Sequence, residues 1–505
     1  MSQKTRDGYS WTPETGLKKG QFACKGAVSP SRSVKAPSSF VYDVLILGGG
    51  YAGISAARDL TNAGRSVLLI EGRDRIGGRT FTIEEDGFKY EMGGTWVSHC
   101  QPHTFREMLR YNLGRDLVTT RQHGYENDYY TFKVPGVSRK LSHEEAGQIA
   151  ARGWNLFVDV DGAGGRKICP LPHAQLDNIR VDRKEVEKWD AYSCWDRYQE
   201  IRHQLTPEES GLLLSLLLHI SGGESNLKNS SLWDIIRGHA LGGHEFGNFE
   251  DVWLLYKLRE GQSGMARHIF DDAVSCGLEY SFNTHVDEIK QLPTSTVQVT
   301  TRDRRTYVGR KLICTAPLNT LRSLKFDPPL SPLRQEAIEV GHINYMTKIH
   351  AIVQGSGLAS WNGACYPNLL LYAYGDGVLP SGDAHLVAFG ADERHHFVPE
   401  RDPERIVQAF KNFHPMDVKK LVFHNWNTDP YSQAGPCFWP PGYMTKYQDE
   451  LQSRHGNIFF ASADWAHGWR AFIDGALEQG FLNARDVLNE LRAEDQSRQA
   501  TRALL

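Results

Sequence analysis

No segment of this 505-residue chain is apolar for long enough to span a bilayer. Its most apolar run, residues 212–220, is broken by Ser215 and His219. No cationic signal peptide opens the chain and no hydrophobic tail closes it, so a soluble intracellular protein is expected. The compartment is read as cytoplasmic or peroxisomal, although the terminal Ala503, Leu504 and Leu505 lack the basic middle residue of a peroxisomal address. Basic residues are not in excess, since the net charge is −3, and nothing resembles a nucleic-acid footprint. The eight cysteines form no CxxC pair, which suits reduced thiols better than a disulfide framework or a zinc site. His395 and His396, in DERHHFVPE, lack properly spaced partners, so no metal is expected. Internal repeats and low-complexity tracts are also missing.

What is present begins at residue 43. An apolar run of strand length, residues 44–47, leads directly into Gly48, Gly50 and Gly53 in GxGxxG spacing. In that arrangement the first glycine makes a tight turn and the second lets backbone approach a pyrophosphate. The third lets the following helix, read as residues 52–63, pack close to the strand. The helix N-terminus offers free N–H groups to the phosphate. A second apolar run, residues 66–70, ends at Glu71, about 21 residues beyond Gly50, where an acid is expected to hold a ribose hydroxyl. The segment GRDRIGGRT follows, with Arg73, Arg75 and Arg79 around Gly77 and Gly78, and its guanidinium groups are expected to fork onto phosphate oxygens.

The length favours two domains. Residues 1–40 are polar and read as an extended arm or partly ordered tail, with a strap across the surface as the alternative. LTPEESGLLLSLLLHISGG reads as a helix capped by Thr206 with Pro207 in its first position and glycines at its end. EDVWLLYKL is ambiguous between helix and strand. TVQVTTRD, KLICTAP, MTKIHAIV and HLVAFGA read as strands, and FIDGALEQGFLNARDVLNELRAE as a long amphipathic helix with Asp474 in its first turn.

The segment after Glu71 and the strip GGTWV at residues 93–97 resemble the flavin-containing monoamine oxidase family, notably the soluble monoamine oxidases of filamentous fungi. RDGYSWTPETGL, LREGQSGMARHI, CTAPLNTL with MTKIH, and ADWAHGWRAFIDGALEQG extend the resemblance from residue 6 to about 490. The resemblance implies FAD rather than NAD. It also implies an α/β fold with a discontinuous Rossmann-type FAD-binding domain (41–118, 261–319 and 430–495) and an α+β substrate domain (119–260 and 320–429), with a tail at 496–505. Gly94, Thr95, Trp96, Val286 and Ile473 are implied cofactor contacts beside Gly48, Gly50, Gly53, Glu71, Arg73, Gly78 and Arg79. Asp464 matches a position near the ribityl chain or phosphates.

Lys348 matches the lysine placed near flavin N5 through a water, and Phe472 matches one wall of the family's aromatic cage. The other wall departs from the pattern: an ungapped match puts Pro436 there, with Phe438 or Trp439 as substitutes if the loop is rearranged. Cys437 does not sit where the flavin-linked cysteine does, so non-covalent FAD is expected. Ser98 stands where polyamine-directed relatives carry an acid, which disfavours a polyamine. Leu216, Leu254 and Asn344 match pocket positions, and His219 is either a satisfied core residue or a catalyst.

The function implied is oxidation of a primary or secondary monoamine to its imine, with dioxygen reduced to hydrogen peroxide. The partners expected are a small amine and dioxygen, with no nucleic acid or membrane; a homodimer stays open. A same-fold flavin enzyme acting on an amino acid or biosynthetic intermediate is the rival, and an amino acid would need an arginine aimed at its carboxylate. A flavin-fold binding protein is a remote alternative, against which Lys348 and Phe472 both argue.

Overall fold

The computed structural model describes residues 3–171, 181–223, 227–390 and 398–504. His395 and His396 lie outside them.

Five parallel strands form the nucleus of the first sheet, in the order Glu279–Ser281, Val67–Ile70, Val41–Leu47, Thr306–Cys314 and Ile458–Phe460. Val44, Leu45 and Ile46 are fully buried, as are Leu68, Leu69 and Ile70. Such unbroken apolar runs are what a parallel sheet covered on both faces requires. The helices Tyr51–Asn62, Gln262–Ser275 and Ile473–Leu504 pack together on one side of it. The sheet then continues through the antiparallel strands Val297–Thr301 and Val286–Gln291. The short strand Lys325–Asp327 closes it, six residues beyond the boundary expected at 319.

A nine-stranded sheet forms the second layer, and its central strands are Tyr372–Val378, Ala384–Gly390, Thr347–Val353 and Val418–Phe423. Its two faces differ because side chains alternate along each strand. Ile349, Ala351, Leu386 and Ala388 point to one side, under Ile406, Phe410 and Phe413 of the helix Pro403–Phe413. Lys348, His350, His385 and Phe389 occupy the other side, which faces the interior of the molecule. The helices His143–Val158, Pro207–Ser221 and Leu232–Leu241 roof the space between. Thr206 caps the second of these in a reciprocal box with Glu209, and Gly222, at φ 55°, ends it, in line with the sequence signals.

Three expectations change. The N-terminal segment is neither a free arm nor a tail: Tyr9–Thr12 pairs with Val418–Phe423, and Phe22–Ala23 with Thr82–Glu85. Thr5, Trp11, Phe22 and Cys24 are buried there, so spaced single apolar residues anchor a segment that reads as polar on average. EDVWLLYKL is both elements in succession, the helix Phe246–Trp253 and the strand Tyr256–Leu258. The last helix does not stop at residue 495 but runs on to Leu504. No helix among the described residues is long and apolar enough to cross a membrane.

Candidate active site

The residues directly after four of the parallel strands, Gly48, Glu71, Thr315 and Ala461, and Thr284 shortly after the fifth, line one cavity of about 410 Å³. This is the edge at which doubly wound sheets bind nucleotides.

Each glycine of the motif has a separate role. Gly48 turns the chain at φ 108°, where a side chain is strained, and a Cβ on Gly53 would lie 1.9 Å from the Gly48 carbonyl oxygen. Gly50 is different: its Cβ would meet only Gly78 Cα, at 3.7 Å, and would otherwise project into the cavity. As the N-cap of Tyr51–Asn62 it has no side chain to satisfy the first turn, whose N–H groups open toward the cavity. Gly77 N–H donates to the Gly49 carbonyl at 2.9 Å and clips the second glycine turn to the first. Glu71, which lines the cavity, receives Gly49 N–H at 2.6 Å and Arg73 N–H at 2.7 Å, leaving the outer lone pairs of its buried carboxylate open.

The arginines behave otherwise than expected. Arg73 forks onto Asp429 at 2.6 Å through both Nη atoms and reaches Asp7 at 3.0 Å. Arg75 holds Asp7 at 2.8 Å and the carbonyls of Gly78 and Thr80. The Arg73 fork is occupied by carboxylates remote in sequence, and Arg75, which does not line the cavity, is held by Asp7 and nearby carbonyls with Nη2 buried and unpartnered, so both build the cradle. Arg79 ion-pairs with Asp464 at 2.5 Å and donates to the Gly435 carbonyl at 3.1 Å. Burial alone would raise the Asp464 pKa, but Arg79 holds it below the ordinary value. Asp464 also receives Leu318 N–H at 2.8 Å and does not face the cavity, so it acts through Arg79. Asp7, His424 and Asp429 cluster, as do His342, Cys437 and Asp464, but each group already faces a guanidinium that supplies the charge a metal ion would bring.

Strand register assembles the opposite wall. Lys348 lies directly across from Phe389, which lies across from Tyr372. Lys348 Nζ donates to Thr95 Oγ1 at 2.6 Å and to the Gly93 carbonyl at 3.3 Å, and stands 5.1 Å from the Trp96 ring centre. Burial pushes its pKa below the ordinary lysine value, and the carboxylate of buried Glu91 opposes that shift. Gly94, Thr95, Trp96, Val286 and Ile473 also line the cavity.

Phe472 enters the same space with Trp253 and Trp469 edge-on to it at 4.9 and 5.1 Å. The residue before it, Ala471, has φ 75°, a left-handed conformation that costs a non-glycine residue about 1–2 kcal/mol. Pro436 and Phe438 both line the cavity, whereas Trp439 turns into the core against Tyr443. Leu254 and Asn344 line it too; Leu216 does not, and packs against the core instead. His219 lines it with Nδ1–H donating to the Ser215 carbonyl at 3.0 Å, stacked on Tyr372 at 5.3 Å. Burial lowers its pKa to about 4, so it is neutral with Nε2 as an acceptor. Sequence reasoning missed Tyr372, Tyr374 and Phe389, whose alternation in YAYG and VAFG marks one face of a strand. It also missed Asp234 and Arg237, for which the sequence holds no signal, and Arg470, which lies inside ADWAHGWRAFIDGALEQG.

The pattern described as flavin containing amine oxidoreductase matches residues 51–488. The pseudooxynicotine dehydrogenase of a Pseudomonas species is 29% identical, covering 91% of this chain and 88% of its own. The bovine flavin-containing amine oxidase B is 25% identical, over 89% of this chain and 86% of its own. Among solved structures, putrescine oxidase bound to putrescine superimposes with TM-score 0.71 at 20% identity, over 89% of this chain and 99% of that one. Cyclohexylamine oxidase from Brevibacterium oxydans gives 0.70 at 18%, over 90% and 100%.

Proposed function

Because the chain belongs to the flavin-containing amine oxidoreductase family, it is an FAD-dependent amine-oxidising enzyme, and we propose that its substrate is a primary or secondary monoamine. The amine loses two electrons and two protons to become an imine, and dioxygen takes them up as hydrogen peroxide; a primary imine then hydrolyses to aldehyde and ammonia. FAD, when bound, supplies the hydride acceptor and the electron path to dioxygen.

The observation that carries this reading is Lys348. A lysine buried in an otherwise aromatic wall, tied to Thr95 and Gly93 and lining one cavity with Phe472, is costly to fold, and the buried Glu91 carboxylate offsets that cost only in part. Its depressed pKa lets it exchange a proton near neutral pH while the rings of Trp96, Phe389 and Phe472 exclude bulk water. An amine held there must be neutral to release hydride, and an apolar wall favours that form. Gly48, Gly50, Glu71 and Gly78 fit the pyrophosphate and ribose of FAD, and Thr95, Trp96 and Ile473 the region beyond them.

Three further features refine the proposal. Ser98 stands where polyamine-directed relatives carry an acid and is buried outside the cavity lining, and the missing acid supports a monoamine. Cys437 is buried, with burial pushing its thiol pKa well above the ordinary value, which disfavours the thiolate and supports non-covalent FAD. The eight cysteines are all free, which supports a reducing, intracellular compartment. Purified enzyme should be yellow, release its FAD on denaturation, bleach anaerobically with a monoamine and form peroxide in air. Flavin that stays with the precipitated polypeptide refutes the non-covalent assignment; absence of bleaching across a monoamine panel refutes the substrate assignment.

A further inference from the structure

Two arginines reach the cavity. The helix Leu232–Leu241 presents Asp234, Arg237 and Gly238 along one face, one turn apart, and all three line the cavity. Arg470 arrives from the opposite side, just before the strained Ala471 and Phe472.

Their polar contacts leave an imbalance. Each carboxylate oxygen of Asp234 already has a partner: one pairs with Arg470 Nη2 and the other receives Trp439 N–H at 2.7 Å. Arg237 spends its Nη2 on the carbonyls of His467, at 2.7 Å, and Gly468. The next carboxylate, Glu478, is occupied by His467 N–H at 2.7 Å and Gly468 N–H at 2.9 Å. Arg470 Nη1 is buried without a partner, and among the described residues Nε and Nη1 of Arg237 have none either. Both side chains are deeply buried, at 4% and 7% exposure, and Arg470 lies 3.6 Å from the Trp439 ring centre. Burial and the neighbouring Arg470 together lower the Arg237 pKa to about 10, the sign of a cation short of negative charge. A clamp between helix and loop accounts for the Nη2 contacts. It does not account for Nε and Nη1 of Arg237, left without partners in a cavity wall beside the buried, unpartnered Arg470 Nη1, and such donors cost free energy unless something fills them.

We propose that Arg237 and Arg470 receive an oxygen acceptor on the substrate, so that the enzyme acts on amines that also carry a carboxylate or carbonyl group. This rests on the reading of the cavity as an amine-oxidation site. Arg237, Arg470, Phe472 and Lys348 all line the one cavity, so a single small molecule can present an acceptor and an amine within it. A guanidinium edge binds such oxygens through parallel N–H donors. A plain alkylamine would leave those donors empty, and sites of this kind discriminate strongly against the analogue lacking the acceptor.

The test compares hexylamine, 6-aminohexanamide, 6-aminohexanoate and norleucine with the holoenzyme and with Arg237→Leu. These probes share a six-carbon chain and differ in the acceptor and its distance from the amine. The expected result is a kcat/KM for at least one acceptor-bearing amine on the order of tenfold or more above hexylamine. That ratio should collapse by a similar factor in Arg237→Leu and return in part with Arg237→Lys. FAD absorbance and melting temperature confirm folding; if Arg237→Leu fails to fold, Arg237→Gln, which keeps a donor for the His467 carbonyl, replaces it. Hexylamine as the best substrate, with a ratio unmoved by the variants, overturns the proposal and leaves amine oxidation standing. If no amine bleaches the flavin, the amine reading falls. Calorimetry with hexanoate, hexanamide and hexanol then decides the arginine site alone: acceptor binding that weakens in the variant upholds it, and equal binding refutes it.

Discussion

Replacing Gly50 with alanine separates the space that a dinucleotide needs from the space that the protein needs. At φ −74° and ψ 176° the backbone of Gly50 suits any L-residue, and the new Cβ would touch only Gly78 Cα at 3.7 Å, an ordinary contact. Removing a glycine stabilises a compatible position by about 0.4–1 kcal/mol through the unfolded chain. Alanine is a poorer N-cap than glycine by roughly the same amount, so the two effects nearly cancel. The apoprotein of Gly50→Ala should therefore melt within a few degrees of wild type. FAD affinity should fall on the order of 100-fold or more, about 2.7 kcal/mol, because the methyl group projects where the pyrophosphate passes. Gly53→Ala is the control with the opposite pattern. Its Cβ would sit 1.9 Å from a backbone oxygen, so the loop must shift, costing roughly 1–3 kcal/mol or more in the apoprotein itself. Thermal unfolding of flavin-free protein and titration by flavin fluorescence measure the two quantities. Wild-type FAD affinity in Gly50→Ala would place the pyrophosphate elsewhere, and a large loss of apoprotein stability would show that the chain itself requires this glycine.

Lys348→Met should retain FAD yet slow one half-reaction roughly tenfold or more, resolved by stopped-flow of reduction and reoxidation; unchanged rates in both would remove Lys348 from the mechanism. Asp474→Asn should be more stable than wild type at pH 8 and equal to it near pH 3. Burial raises the folded Asp474 pKa to about 7, so folded protein keeps a proton that unfolded chain has released, and wild-type stability falls as pH rises toward 7. A shift of about three pH units is worth ~4 kcal/mol in the melting comparison at pH 8. The Thr104 N–H, 2.7 Å from Asp474 Oδ1, keeps its acceptor in the asparagine variant, and a melting difference independent of pH would refute the assignment. Pro436→Trp, which fills the cavity beside Phe438, should shift the kcat/KM ratio from bulky toward small primary amines by about tenfold. A ratio that does not move would make Phe438 the second wall.

The nucleotide cradle was legible because its information is local: a strand, three glycines and an acid within thirty residues obey rules of turn geometry and backbone approach. The capped helix at Thr206 and the strand at Lys348 were legible for the same reason. Tertiary structure alone decided matters that depend on partners distant in sequence. Arg73 looked like a phosphate ligand until Asp429 and Asp7 took its fork, and an extended N-terminal arm became four paired strands because Trp11 and Phe22 find cores elsewhere. Arg470 and Arg237 lie more than two hundred residues apart, and no motif links them. That they meet around a single aspartate in the wall of one cavity is a property of the packed chain, because the cost of an unpartnered buried charge exists only once folding has removed the water.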